Sequence, residues 1–348
     1  MNLQKNVGAD ASVRPNKEGE QKLYFQTRIL FVSFIATIVL SIFIIPILKK
    51  FKIGQMERDD GPESHFSKKG TPTMGGIIIA LGIIIGTIGG FVYYYNKEIE
   101  TAKKLLPLLI ITIGFGVIGF IDDYKKLVLR NTKGLKPSSK MLGLLVIAVG
   151  YTFYIMRVLN LGTETYIPFL KIYVNLSTWI YIPFAIFVIL ATTNAVNLTD
   201  GIDGLSTSVS AIIVTCLTVI AIVLDVKEII VFGSIIVGAC LGFLIFNLNV
   251  AKVFMGDTGS LLLGGVIAAM ALYLKMPLLL LLIAAIPVLE TLSVVLQVVY
   301  FKKTGGKRLF KMAPLHHHFE LSGWNENKVV SIFSILTLML CIIGLCAI

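Results

Sequence analysis

Residues 105–124 read LLPLLIITIGFGVIGFIDDY. The run from Leu105 to Ile121 is almost wholly apolar and ends on Asp122 and Asp123. An apolar run of roughly 17–25 residues is what an α-helix needs to cross the hydrocarbon of a bilayer. Gly114, Gly116 and Gly119 also spell G-x-G-x-x-G. That fingerprint marks a dinucleotide site only where a strand precedes it and a helix opens after it. Here it lies inside the apolar run, where the helix is ending. The glycines are therefore expected to let neighbouring membrane helices approach closely. The stretch decides for a membrane-spanning helix, and leaves two adjacent carboxylates at its mouth to be explained.

Nine similar runs surround it. The chain of 348 residues is 56% hydrophobic with a mean hydropathy of +0.85, above the roughly 45–50% apolar content of soluble domains. The expected fold is an all-α polytopic integral membrane protein of about ten transmembrane helices. They are placed at 27–48, 73–95, 105–121, 141–157, 176–195, 204–224, 229–248, 258–274, 276–300 and 328–348. Residues 27–348 form a single transmembrane domain in this reading. Residues 1–26 are polar and expected to be disordered. The KLYFQ within them resembles a tag-cleavage sequence, so part of this tail reads as a cloning remnant.

The net charge of +11 does not point to nucleic acid, because no basic patch interleaved with stacking aromatics lies outside the apolar runs. The cations instead report topology. The odd-numbered connections hold 18 Lys and Arg and the even-numbered ones 6. The positive-inside rule places the odd connections in the cytoplasm, and ten spans then leave both termini extracytoplasmic. The four cysteines, Cys216, Cys240, Cys341 and Cys346, all sit in apolar spans with no metal or disulfide spacing, and read as reduced thiols.

The unusual polar groups gather in the odd connections and the helix ends beside them. The first gives ERDDGPESHFSKKGTPTMGG, with Lys68 and Lys69. The third gives IDDYKK, the fifth NAVNLTDGIDG, the seventh FNLNVAKVFMGDTGS and the ninth GGKRLFKMAPLHHHFE. All four histidines, His65 and His316 to His318, are on this side. Loops that only reverse the chain have no reason to segregate so, and five segments are expected to build one site.

Ionised Asp beside hydrocarbon is costly and usually faces a cavity or a partner. Asp122 and Asp123 could mark the water boundary beside Lys125 and Lys126, but an adjacent pair favours function. Asn194, Asn197, Asp200 and Asp203 recur every three residues and form a polar stripe leading out of the fifth span, although Asn, Asp and Gly also form turns. Asp257, flanked by Gly256 and Gly259 and followed by Thr258 and Ser260, offers oxygens of the kind Mg²⁺ prefers. It could equally cap the eighth span. His316, His317 and His318 are consecutive and so poorly spaced for zinc. Lys302, Lys303, Lys307, Arg308 and Lys311 upstream suit phosphate or anionic lipid heads. Glu290 and Gln297 share one side of the ninth span, and Glu290 is expected to be buried against a polar partner.

No Walker A motif is present, since GGKR at 305–308 lacks its spacing. Carboxylates with basic partners suit a Mg²⁺–pyrophosphate substrate, because phosphoryl transfer rests on positioning and charge neutralisation. A bilayer-embedded site further suggests one lipid and one soluble nucleotide substrate. The alternative, in another class, is a transporter with a polar cavity. A transporter predicts midplane polar residues and inverted repeats, neither of which is detectable.

The strings RDDGPESH, KKGTPTMGG, IDDYKK, NAVNLTDGIDG, FNLNVAKVFMGDTGS, ETLSVVLQVVYF and GGKRLFKMAPLHHHFELSGW run in order over residues of about 27–348. They resemble the polyprenyl-phosphate N-acetylhexosamine-1-phosphate transferase superfamily, and PLHHHFE resembles its phospho-N-acetylmuramoyl-pentapeptide branch rather than the branch using UDP-N-acetylglucosamine. IDDY stands where some members have WDDY. The resemblance implies a multi-pass protein of the bacterial cytoplasmic membrane that is a homodimer among membrane lipids, with Mg²⁺ as cofactor. It implies transfer from UDP-N-acetylmuramoyl-pentapeptide to undecaprenyl phosphate, giving lipid I and UMP. It further implies that Asp257 binds Mg²⁺, that Asp122 or Asp123 orients or deprotonates the lipid phosphate, and that His316, His317 and His318 contact phosphates. Lys68, Asn197, Asp200, Asp203, Asn247 and Phe254 resemble residues of the nucleoside pocket, with Phe254 offering a face to uracil.

Overall fold

The computed structural model describes residues 17–50, 70–127, 129 and 134–348, with side chains from Phe25 onward. The helices are α1 (Lys17–Lys50), α2 (Gly76–Tyr95), α3 (Ile99–Leu127), α4 (Pro137–Phe153), α5 (Thr178–Thr199), α6 (Leu205–Val223), α7 (Lys227–Asn247), α8 (Gly256–Tyr273), the short α9 (Leu280–Ile283), α10 (Ala285–Lys303), the short α11 (Leu315–Glu320) and α12 (Glu326–Cys346). Among the described residues, ten helices are long and apolar enough to cross a membrane, one at each place where the sequence predicts a span.

Helix α8 lies at the centre, against α2, α3, α5 and α6. Its sequence, GDTGSLLLGGVIAAMALY, is apolar all round, the pattern of a helix with no solvent face. Small residues set how close its neighbours come. An added Cβ on Gly119 of α3 would lie 2.1 Å from the Asp257 carbonyl oxygen, and one on Gly76 of α2 would lie 2.1 Å from the Gly259 nitrogen. One on Gly116 would lie 3.1 Å from Leu262 Cδ1, and one on Gly114 3.4 Å from Ile147 of α4. The G-x-G-x-x-G of α3 is therefore a packing face, as expected, and its last glycine makes the tightest approach, at the first residues of α8. Close backbone contact of this kind is a main source of helix association in a bilayer, where lipid is as apolar as leucine.

Three features differ from the sequence expectation. First, α1 reaches back to Lys17, into the tail expected to be disordered, and residues 1–16 lie outside the described residues. Second, the ninth span is not one helix over 276–300. It is broken at Ala284 (φ −107°, ψ 27°), between α9 and α10. Pro287 has no N–H to return to the carbonyl of Ile283, four residues back. That carbonyl faces the Cys341 thiol instead, at 3.9 Å. Third, the connection 158–175 contains a two-stranded antiparallel hairpin, β1 (Glu164–Ile167) with β2 (Ile172–Asn175), in the register Glu164 opposite Asn175. It closes over the end of the bundle opposite Asp122, Asp123 and Asp257. There Tyr166 donates to the Ala347 carbonyl (3.2 Å), and Lys104 and Tyr273 both donate to Glu228.

Candidate active site

Four helix ends meet where the odd connections lie. Asp122, Asp123 and Lys126 come from the last turns of α3. Lys140 comes from the first turn of α4, Asn197 from the end of α5, and Asp257 and Thr258 from the start of α8. Gly256 (φ +71°) turns the chain into α8, and a Cβ there would lie 2.7 Å from Asp123 Oδ2. That conformation and that approach both require glycine.

The two adjacent aspartates do different things. Asp123 is buried and points at α8. Its Oδ1 accepts the Asp257 N–H (3.1 Å), and its Oδ2 accepts the Thr258 N–H (2.9 Å) and hydroxyl (2.6 Å). It thus satisfies the amides that open α8, the task of an N-cap carboxylate, but delivered from another helix. The capping role that the sequence allowed to Asp257 belongs to Asp123. Asp122, also buried, turns the other way. Its Oδ2 lies 2.5 Å from Lys126 Nζ and 3.9 Å from Lys140 Nζ, and its Oδ1 accepts the Leu135 N–H (2.6 Å).

Asp257 sits between these groups. Its Oδ2 accepts from Lys126 (2.9 Å) and Lys140 (3.0 Å), and its Oδ1 from Asn197 Nδ2 (2.8 Å). The same Asn197 amide also donates to Ser260 Oγ (2.8 Å). Asp200, which follows α5, accepts the Gly256 N–H. Burial, and then the charges of Asp257, Asp123 and Asp203, push its carboxyl well above the ordinary carboxylate range. Two ammonium groups thus face a concentration of carboxylates, an arrangement suited to exchanging charge partners when a phosphate arrives.

Other residues expected at the site act one layer out. Asp203 Oδ2 accepts the Ala251 N–H (3.0 Å). Asn247 is buried, accepts from Thr207 Oγ1 (2.9 Å) and donates to the Val253 carbonyl (3.0 Å). Both shape the loop 248–255 that presents Phe254. The half-buried Phe254 is held by its backbone: its N–H donates to the Pro72 carbonyl (2.8 Å) and its carbonyl accepts from Gly75 (2.9 Å). Lys68 lies outside the described residues. Asn194 donates to the Leu190 carbonyl of its own helix (2.7 Å), so the polar stripe engages the site from Asn197 onward.

The three histidines diverge. His316 is fully buried against Gly201, where an added Cβ would lie 2.1 Å from its Nε2. This brings the loop between α10 and α12 to the turn between Asp200 and Asp203. His317 Nδ1 lies 2.8 Å from Glu320 Oε2, and His318 Nδ1 accepts the Lys311 N–H (3.2 Å), both within that loop. Gln297 fastens the loop by accepting the N–H groups of Leu309 (3.1 Å) and Phe310 (2.9 Å).

Lys140 is the residue that sequence reasoning missed. A cation in the first turn of a helix opposes the helix dipole, and that misplacement was the available signal. Among the described residues, no three His, Cys, Asp or Glu side chains form a closed metal cage. Mg²⁺ does not require one, since it is commonly held by one or two carboxylates with substrate phosphates and water. The hard oxygens of Asp257 and Asp122 fit that description.

Residues 105–275, which run from within α3 past the end of α8, match the glycosyl transferase family 4 model. Every carboxylate of the cluster falls inside that stretch. A phospho-N-acetylmuramoyl-pentapeptide-transferase of Acetivibrio thermocellus is 45% identical to this chain, over 91% of it and 93% of the relative. Proteins of the same name from Clostridium novyi (47%, over 90% and 94%) and Clostridium kluyveri (49%, over 86% and 92%) are similar to it over comparable lengths. The chain belongs to the phospho-N-acetylmuramoyl-pentapeptide transferase family.

Proposed function

We propose that the protein transfers phospho-N-acetylmuramoyl-pentapeptide from its UDP derivative to undecaprenyl phosphate, giving lipid I and UMP in peptidoglycan synthesis. The observation that carries this reading is the convergence of Asp122 and Asp257 on Lys126 and Lys140 at one end of a membrane bundle. The same end is taken to face the cytoplasm, where the nucleotide is soluble, so both termini lie outside. The protein is assigned to the bacterial cytoplasmic membrane, as a homodimer.

The lipid phosphate oxygen bonds to the phosphorus that carries the sugar. The bond from that phosphorus to the bridging oxygen of UMP breaks. Lys126 and Lys140 neutralise phosphate charge as the substrates enter. Asp257 would hold Mg²⁺, with Asp122 beside it. That ion, when bound, supplies further neutralisation of the pyrophosphate. Asp123 is held by the amides of α8 whereas Asp122 faces the two lysines, so orienting or deprotonating the lipid phosphate falls to Asp122. A direct displacement and a route through a phospho-aspartate both fit these residues. Phe254 offers its ring to uracil; Lys68, Asn197, Asp200, Asp203 and Asn247 set the pocket walls, and His316, His317 and His318 contact phosphates.

Donor choice tests the reading. Purified protein with undecaprenyl phosphate and Mg²⁺ is expected to release UMP from UDP-N-acetylmuramoyl-pentapeptide and not from UDP-N-acetylglucosamine. Release from the second donor alone would keep the chemistry and move the protein to another pathway.

A further inference from the structure

Glu290 of α10 has no solvent exposure and lies against His316 of α11, which has none either. An isolated buried carboxylate is costly, and in a membrane protein such a group usually serves a partner. Here the partner is one residue, met twice. Glu290 Oε1 accepts the backbone N–H of His316 at 3.2 Å, and the same oxygen lies 3.2 Å from the Nδ1 of its ring. Among the described residues, neither ring nitrogen of His316 nor Oε2 of Glu290 has a well-aligned hydrogen-bond partner. Three buried polar atoms are thus left open within one pair.

The direction of the ring gives those atoms a meaning. With Nδ1 toward Glu290, Nε2 points the opposite way, at Gly201. Gly201 follows Asp200, which holds the Gly256 N–H one residue before Asp257. A carboxylate on one nitrogen of an imidazole fixes its tautomer and its orientation, and so decides what the other nitrogen presents. Catalytic hydrogen bonds are often long or misaligned before substrate binds and tighten afterwards. A tether through the backbone amide also keeps the start of α11 in place, so Glu290 locates both the ring and the loop that carries it.

Resting on the function proposed above, we propose that Glu290 is a positioning residue for the transfer. It holds His316 so that Nε2 is presented to the diphosphate at the Asp200–Asp203 turn.

The test uses the full-length protein in detergent. Wild-type turnover of UDP-N-acetylmuramoyl-pentapeptide is measured first, and its absence would overturn the functional reading and this inference with it. Glu290→Gln keeps an oxygen for the His316 amide and removes the charge facing Nδ1. It is expected to melt close to wild type, to lose roughly 10–100-fold in kcat, and to change KM for the nucleotide less than about 3-fold. In a His316→Asn background the same change is expected to cost almost nothing further, because coupled residues are non-additive. A Glu290→Gln variant with wild-type kcat, or losses that multiply in the double variant, would overturn the inference while leaving the function intact. Should Glu290→Gln not fold, Glu290→Asp retracts the charge by one methylene. It is expected to show the same split between kcat and KM, and wild-type kcat there would likewise overturn the inference.

Discussion

Asp257→Ala is expected to lower the rate of UMP release by about 10³-fold or more, the scale seen when a single electrostatic contributor is removed from a preorganised site. Asp257 accepts hydrogen bonds from both Lys126 and Lys140 through one oxygen, and its other oxygen is oriented by Asn197. Its removal leaves two ammonium groups with Asp122 alone and, on the proposed function, would deprive Mg²⁺ of its main ligand. Asp257→Asn should fall nearly as far, since the amide keeps the shape and an acceptor for Asn197 but not the charge. Initial rates at saturating substrates, with melting temperatures alongside, check this. A folded Asp257→Ala protein with the wild-type rate would remove Asp257 from the metal role.

Asp123→Ala is expected to act through the scaffold. Asp123 accepts three hydrogen bonds from Asp257 and Thr258. Its loss strands two backbone amides and a hydroxyl at the buried start of α8. A lost cap costs about 1–2 kcal/mol, and donors left unsatisfied add about 1–3 kcal/mol each. Melting temperature and activity should therefore fall together, because the turn that fails is the one that carries Asp257. Asp123→Asn retains one acceptor oxygen and should recover part of both. Loss of activity at an unchanged melting temperature would instead make Asp123 a chemical participant.

This division between Asp122 and Asp123 was not legible in IDDY. Neighbouring residues on an α-helix point about 100° apart, so the pair could not both take the backbone amides that open α8. Which one meets α8 depends on how Gly119 seats α3 against Asp257, a tertiary fact. The spans were legible because length and apolarity are local properties. The break at Ala284 was written in Pro287, but it sat inside a run apolar enough to pass for one helix. The segregation of polar groups to one end was also local, and it located the site. It gave no weight to Lys140, which entered only the count of cations, or to the pairing of Glu290 with His316 across 26 residues. Asn247 and Asp203 carry amide and carboxylate groups as the site reading expected, yet both bond to the loop behind Phe254. Sequence pattern shows which residues gather, and packing decides which of them are free to act.

The central claim is that this carboxylate–lysine cluster moves a phosphosugar from a nucleotide to a lipid. The most direct measurement follows label from the sugar of UDP-N-acetylmuramoyl-pentapeptide, with purified protein, undecaprenyl phosphate and Mg²⁺. The account predicts that label passes into an extractable lipid in step with UMP, and that EDTA stops both. UMP released with no labelled lipid, or no release at all from protein shown to be folded, would contradict it.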